Sequence, residues 1–168
     1  MPGFVDPYKM AKNRQALQGE LAVASMPRAN QMLESKDGVV NYSLLFDMDK
    51  ESLCFVEGQI HTKVSVRCQR CLQIFLKEIN GSFKVSPVKT DSAAKALSSE
   101  YEPLIVTEDK LYPAELVEDE LILAIPLAPM HEEICVDSAE IKEQDLVNPF
   151  QVLQELKVNK KGHKAGDK

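Results

Sequence analysis

Long apolar runs are missing from this sequence. No stretch approaches the roughly 18 residues that a membrane span requires, and the opening Met1-Pro2-Gly3-Phe4-Val5-Asp6 lacks the basic-then-apolar layout of a secretory signal. A cytosolic protein without membrane contact is expected. Cysteine is scarce, with four in 168 residues, too few for a disulfide scaffold. There are three histidines, one of them near the C-terminus. Glycine-rich phosphate loops, nucleophile elbows and His-Glu-x-x-His are all absent. These absences disfavour an enzyme and a small-molecule substrate. An excess of positive charge is lacking too: the formal net charge of −6 excludes a surface that attracts nucleic acid everywhere.

What is present suits one globular domain, with 44% hydrophobic and 27% charged residues. A single domain over residues 1–156 is expected, followed by a basic, disordered tail at 157–168. Charge is unevenly distributed. Between Glu57 and Lys84 the bases Lys63, Arg67, Arg70, Lys77 and Lys84 face only Glu57 and Glu78, whereas Glu108 to Asp145 holds twelve acids against two lysines. From Phe150 to Lys168 there are five lysines against two acids.

Asp6-Pro7 predicts a helix start, since the carboxylate can accept from free amides and proline loses no hydrogen bond in a first turn. That helix is expected over Tyr8 to Leu17, ending at Gly19. Glu20 to Val23 reads as a short strand, and Ser25-Met26-Pro27 as the start of a second helix reaching Glu34. Val39 to Phe46 is a predicted strand, followed by a turn at Asp47 to Lys50. Leu53 to Val66 alternates apolar and polar residues, with Gly58 suggesting a bulge or bend. Leu72 to Val85 continues in extended form, with an expected interruption at Asn80-Gly81.

Short turns between these strands argue for antiparallel pairing, because parallel pairing needs long crossovers. Asp91 to Glu100 is expected to be a loop or frayed helix, and Tyr101 to Val106 extended. Pro113 opens the clearest helix, with the stripe Val117, Leu121, Ala124 and Ile125 and a stop at Pro126. Glu115, Glu118, Asp119 and Glu120 suit its dipole on a solvated face, a reading preferred to a catalytic carboxylate cluster. Asn148-Pro149 predicts a last helix through Leu156. The expected fold is α+β: an antiparallel sheet of five to seven short strands, covered by the Pro113 helix and flanked by terminal helices.

Two constellations carry chemistry. The turn Cys68-Gln69-Arg70-Cys71 has the spacing of half a zinc site. His131 and Cys135 are the later candidates for completing it, so Cys68, Cys71, His131 and Cys135 form the candidate metal set. Reduced packed thiols and a redox pair are the alternatives; a flanking strand in place of a helix speaks against the redox pair. Cys54 stands alone and is expected in the core. The second constellation is the basic hairpin: Lys63, Arg67, Arg70, Lys77 and Lys84 could contact RNA phosphates, and Phe75 or Phe83 could stack on a base if exposed.

Four stretches resemble a known family. They are Val66-Arg67-Cys68-Gln69-Arg70-Cys71, Tyr101-Glu102-Pro103-Leu104, Val117-Glu118-Asp119-Glu120-Leu121-Ile122-Leu123-Ala124-Ile125-Pro126 and Asn148-Pro149-Phe150-Gln151-Val152-Leu153. In order and spacing they look like the bacterial large ribosomal RNA subunit accumulation proteins, the YceD family, from the first helix to Leu156. The resemblance implies a non-enzymatic role in the synthesis, processing or stability of 23S ribosomal RNA and in large-subunit assembly. The implied partner is ribosomal RNA or a large-subunit precursor. The alternative is an adaptor that holds a basic ribosomal protein on the acidic segment. Some branches of the family carry a second cysteine pair after the proline-bounded stretch; here that position has His131 and Cys135.

Overall fold

Four strands follow one another as an antiparallel meander, and a fifth joins its far edge. The computed structural model describes residues 2–135; the expected Phe150–Leu156 helix and the 157–168 tail lie outside them. Met1–Cys135 is one compact unit. In chain order the elements are α1 (Pro7–Lys12), β1 (Ala16–Ala22), β2 (Val39–Met48), β3 (Cys54–Arg67), β4 (Ile74–Val88), α2 (Asp91–Lys95), β5 (Glu102–Ile105) and α3 (Pro113–Ala124). Strand order across the sheet is β1-β2-β3-β4-β5.

The fully antiparallel sheet expected from the sequence is corrected to a mixed one, because β5 runs parallel to β4, with Val85 opposite Glu102 and Val88 opposite Ile105. Residues 89–101, which include α2, supply the crossover that parallel pairing needs. Nor are the strands all short: β3 has 14 residues and β4 has 15. Both expected interruptions are absent, and the register runs unbroken from Val56–Val85 to Arg67–Ile74. Gly58 and Gly81 serve close packing instead. A Cβ on Gly58 would lie 2.0 Å from the Phe83 ring, and one on Gly81 would lie 2.8 Å from Ile60.

α1 starts as its cap predicts, with Asp6 Oδ1 accepting from the amides of Tyr8 and Lys9. It stops five residues early. Arg14 takes a left-handed φ of 48° and its Nε donates to Asp47 Oδ1 at 2.9 Å, so the chain turns into β1 before Gly19. The helix expected over Ser25–Glu34 is two 3-10 turns, Val23–Ser25 and Ala29–Gln31. The second of these is capped from far away in sequence: Glu118 on α3 accepts from the amides of Arg28 at 2.7 Å and Ala29 at 3.0 Å. Arg28 also pairs with the Glu118 and Asp119 carboxylates. Glu118 is therefore buried, which corrects its expected place on a solvated face.

One face of the meander forms the core. Val40, Leu44, Phe46, Val56, Ile60 and Val64 point into it with 3% exposure or less. α1 lies over the β2–β3 end of this face, and α3 over β4 and β3, through Leu116, Val117 and Leu121. Cys54 sits in this core as expected, and burial pushes its thiol pKa up to about 11. On the other face the outward residues Asn41, Ser43, Gln59, His61, Asn80 and Ser82 are exposed.

Gly58→Ala is expected to lower stability by about 1–3 kcal/mol through overpacking, and Gly58→Ala/Phe83→Leu to recover part of that in urea unfolding. Unchanged stability of the single variant would mean that the ring does not fill the glycine slot. A second expectation concerns Glu120, whose pKa is pushed up to about 7 by burial and then by Glu102 and Asp119. The folded state keeps a proton that the unfolded chain releases, so stability falls as pH rises between about 4.5 and 7. Glu120→Gln should therefore be more stable than wild type at about pH 8, by about 1 kcal/mol, and indistinguishable from it at about pH 4.5. A gain of the same size at both pH values would contradict the assignment.

Candidate metal centre

The β3–β4 turn is closed by its own backbone. The Cys68 amide donates to Gln73 O and the Leu72 amide to Cys68 O, each at 2.9 Å, while Leu72 takes the left-handed φ of 63° that the reversal demands. This geometry turns both thiols to one side, and the Arg70 amide donates to Cys68 Sγ at 3.4 Å. The other half of the set arrives from α3. Pro126 prevents the helix from continuing, the chain runs out over Leu127 to Met130, and Pro129 O accepts from the Gln69 amide at 2.8 Å. That bond, with the Arg70 side chain donating to Cys135 Sγ and His131 O, holds His131 and Cys135 at the turn. The sequence hint for it was the pair Pro126 and Pro129, which brackets an extended connection.

The ligand atoms of Cys68, Cys71, His131 and Cys135 all lie within 4.8 Å of one another. Cys68 Sγ is 3.6 Å from Cys135 Sγ, and Cys71 Sγ is 3.5 Å from His131 Nδ1. Zinc–sulfur bonds of about 2.3 Å and zinc–nitrogen bonds of about 2.0–2.1 Å give tetrahedron edges of about 3.8 Å between sulfurs and about 3.6 Å between sulfur and nitrogen. The four residues therefore suit a tetrahedral divalent ion in donor type, and these two separations match its edges. Cys68 is buried and the other three are half-buried. The His131 ring packs on Phe75, with centroids 4.3 Å apart, which restrains the imidazole.

The electrostatics favour a cation in the middle. Burial opposes ionisation of Cys68, but amide donors at Cys71, His131 and Arg70 outweigh it and hold its pKa down to about 5. Cys135 is lowered as well: burial again opposes, and the Arg70 guanidinium and His131 prevail. Cys71 moves the other way. The Gln73 amide favours its thiolate, but burial and the neighbouring thiols Cys135 and Cys68 push it up. Cys135, opposed by burial and helped by Cys68, raises the His131 imidazole. Two sulfurs inclined to ionise beside a third that resists is the mutual repulsion that a divalent ion relieves.

The five cationic candidates are not gathered in one patch. Lys63, Arg67 and Lys84 lie on the uncovered face of the hairpin, while Lys77, opposite the buried Val64, points to the covered side. Each has a partner. Arg67 forms a two-pronged bond with Glu34, at 3.0 and 2.8 Å, and donates to Leu72 O. Lys63 is 3.8 Å from Glu78, Lys77 is 3.4 Å from Glu132, and Lys84 pairs with Glu100 while resting over the Phe55 and Tyr101 rings. Arg70 folds into the metal set. Of the two rings proposed for base stacking, Phe83 is buried in the core and Phe75 lies under His131.

Comparison with known proteins decides the family. The model of the large ribosomal RNA subunit accumulation protein YceD matches residues 56–157. A Haemophilus influenzae protein named large ribosomal RNA subunit accumulation protein YceD is 35% identical over 173 residues, covering 94% of this chain and 96% of the relative. This chain belongs to the YceD family. No solved structure matches it. The YceD match spans β3 from Val56 onward, the turn, β4, α3 and all four candidate ligands. No helix among the described residues is long and apolar enough to cross a membrane.

Cobalt titration of the purified chain is expected to saturate at one ion and to give the visible bands of a tetrahedral thiolate site. Cys71→Ser and Cys135→Ser should each weaken uptake by at least about 100-fold, and Cys54→Ser should leave it unchanged. Equal uptake by Cys135→Ser and wild type would exclude the fourth ligand.

Proposed function

We propose that this chain is a non-enzymatic factor in the accumulation of large-subunit ribosomal RNA. It would contact 23S ribosomal RNA or a large-subunit precursor along the uncovered face of the β3–β4 hairpin, and the Cys3His set would hold structural zinc. Family membership supports the biological role, through the name that the relative carries. Four protein ligands leave no coordination position for a substrate, which suits a clip that ties His131–Cys135 to the hairpin tip rather than a reaction centre.

The observation that carries the surface is the row of outward side chains on β3 and β4. Gln59, His61, Asn80 and Ser82, with Asn41 and Ser43 from β2, line an open depression of about 450 Å³. These are neutral donors and acceptors suited to sugar hydroxyls and base edges. Lys84 sits at the level of Glu57, six residues and about 20 Å before Lys63, and Arg67 lies about 13 Å farther on. Three cations so spaced form a track for an extended strand. Their carboxylate partners are no bar, since exposed ion pairs contribute only about 0–1 kcal/mol and a phosphate can take the carboxylate's place.

The rival adaptor reading has less to stand on. Within the acidic segment, Glu118 is buried and both it and Asp119 are engaged by Arg28. Glu118, buried and capping the turn at Arg28 and Ala29, is not free to receive a basic protein.

Binding to large-subunit RNA fragments should weaken with salt, with a log–log slope near −2 for three phosphate contacts to a single strand. Lys63→Ala/Arg67→Ala/Lys84→Ala should reduce affinity at least about tenfold and flatten that slope. In cells lacking the chain, 23S ribosomal RNA should fall relative to 16S and be restored by wild type. Undiminished affinity of the triple variant would reject the surface, and nuclease-resistant co-purification with a ribosomal protein would favour the adaptor.

A further inference from the structure

We infer that Arg70 is the positioning residue of the metal centre, fastening the His131–Cys135 loop to the hairpin tip and offsetting the net negative charge of the thiolate–ion set. This rests on the metal reading above. Its side chain reaches the second half of the ligand set at three points. Nε donates to Cys135 Sγ at 3.1 Å, Nη2 donates to His131 O at 3.2 Å, and Nη2 also reaches Glu133 O. From the same residue the backbone amide donates to Cys68 Sγ. One residue thus joins a thiol of the turn to a thiol and two carbonyls of the distant loop, across 65 positions of sequence.

Charge gives the second reason. A divalent ion with three thiolates and a neutral imidazole carries a net charge of −1, half-buried at the tip of a sheet. Hydrogen bonds to ligating groups from outside the ligand set orient them and hold them in the bound geometry. The guanidinium supplies a full positive charge and donors fixed in one plane, and it cannot lose its proton. A lysine would keep the charge and lose the fork. Arg67, three residues earlier, is built differently: its guanidinium engages Glu34 and Leu72 O and touches none of the four ligands. It is the natural control.

The test is cobalt affinity of the full chain against a competing chelator, together with the sulfur-to-cobalt charge-transfer band. Arg70→Ala is expected to bind one cobalt in tetrahedral form, about 10–100-fold more weakly than wild type. Its charge-transfer band should shift, because the Cys135 thiolate has lost a donor. Arg70→Lys should recover only part of the affinity and none of the band position, and it guards against failure of the alanine variant to fold. Arg67→Ala should match wild type in both readouts. Wild-type affinity and band position in Arg70→Ala, or full restoration by Arg70→Lys, would overturn the inference while leaving the metal site standing. A wild-type chain that takes up no cobalt would overturn the metal reading, and this inference with it.

Discussion

Three thiols and an imidazole, all within 4.8 Å of one another, make a costly arrangement unless something positive lies between them. Ionised sulfurs repel, and burial at the hairpin tip sharpens the repulsion. The backbone commits to this crowding from both sides, through the left-handed turn at Leu72 and the bond from Gln69 to Pro129. A tetrahedral ion bound there would resolve the repulsion and turn the crowded tip into a rigid corner. Everything on the far side of α3 that the structure describes is anchored at that corner.

The long hairpin is what places the corner. Fourteen and fifteen residues of unbroken β3 and β4 carry the cysteine turn to the end of the sheet away from the β2–β3 turn, where the chain leaving α3 meets it. Two glycines make this length possible without a bulge. Gly58 receives the Phe83 ring and Gly81 receives Ile60, so each strand leaves room for the other's large residue. Glu118 does comparable work by capping a turn ninety residues away in sequence and tying α3 to the chain between β1 and β2. The outer face of the hairpin bears no such burden, and its side chains remain available for contact.

Much of this was legible in the chain. Alternation marked β2, β3 and β4; Asp6-Pro7 and Pro113 marked where helices begin; Pro126 marked where one ends. The thiol turn and the two later ligands were readable as residue types with metal chemistry. Three things were not. Parallel pairing of β5 depends on a crossover that looked like a loose loop, and local propensity says nothing about which edge a returning strand will choose. The glycines read as breaks because a missing side chain looks the same in sequence whether it frees the backbone or admits a neighbouring ring. The arginines at 67 and 70 looked alike, as two cations on one exposed turn.

Composition and spacing by themselves determined the classes of residue available: a domain-sized core, a half-site of thiols, a basic hairpin and an acidic helix start. Tertiary structure decided which of them meet. Coordination needs four atoms at bonding distance from one point, and a gap of 59 residues between Cys71 and His131 leaves that distance open until the sheet and α3 close it. The same holds for charge. A guanidinium's partner is set by where its strand points, so only the fold could send Arg67 to Glu34 and Arg70 to Cys135.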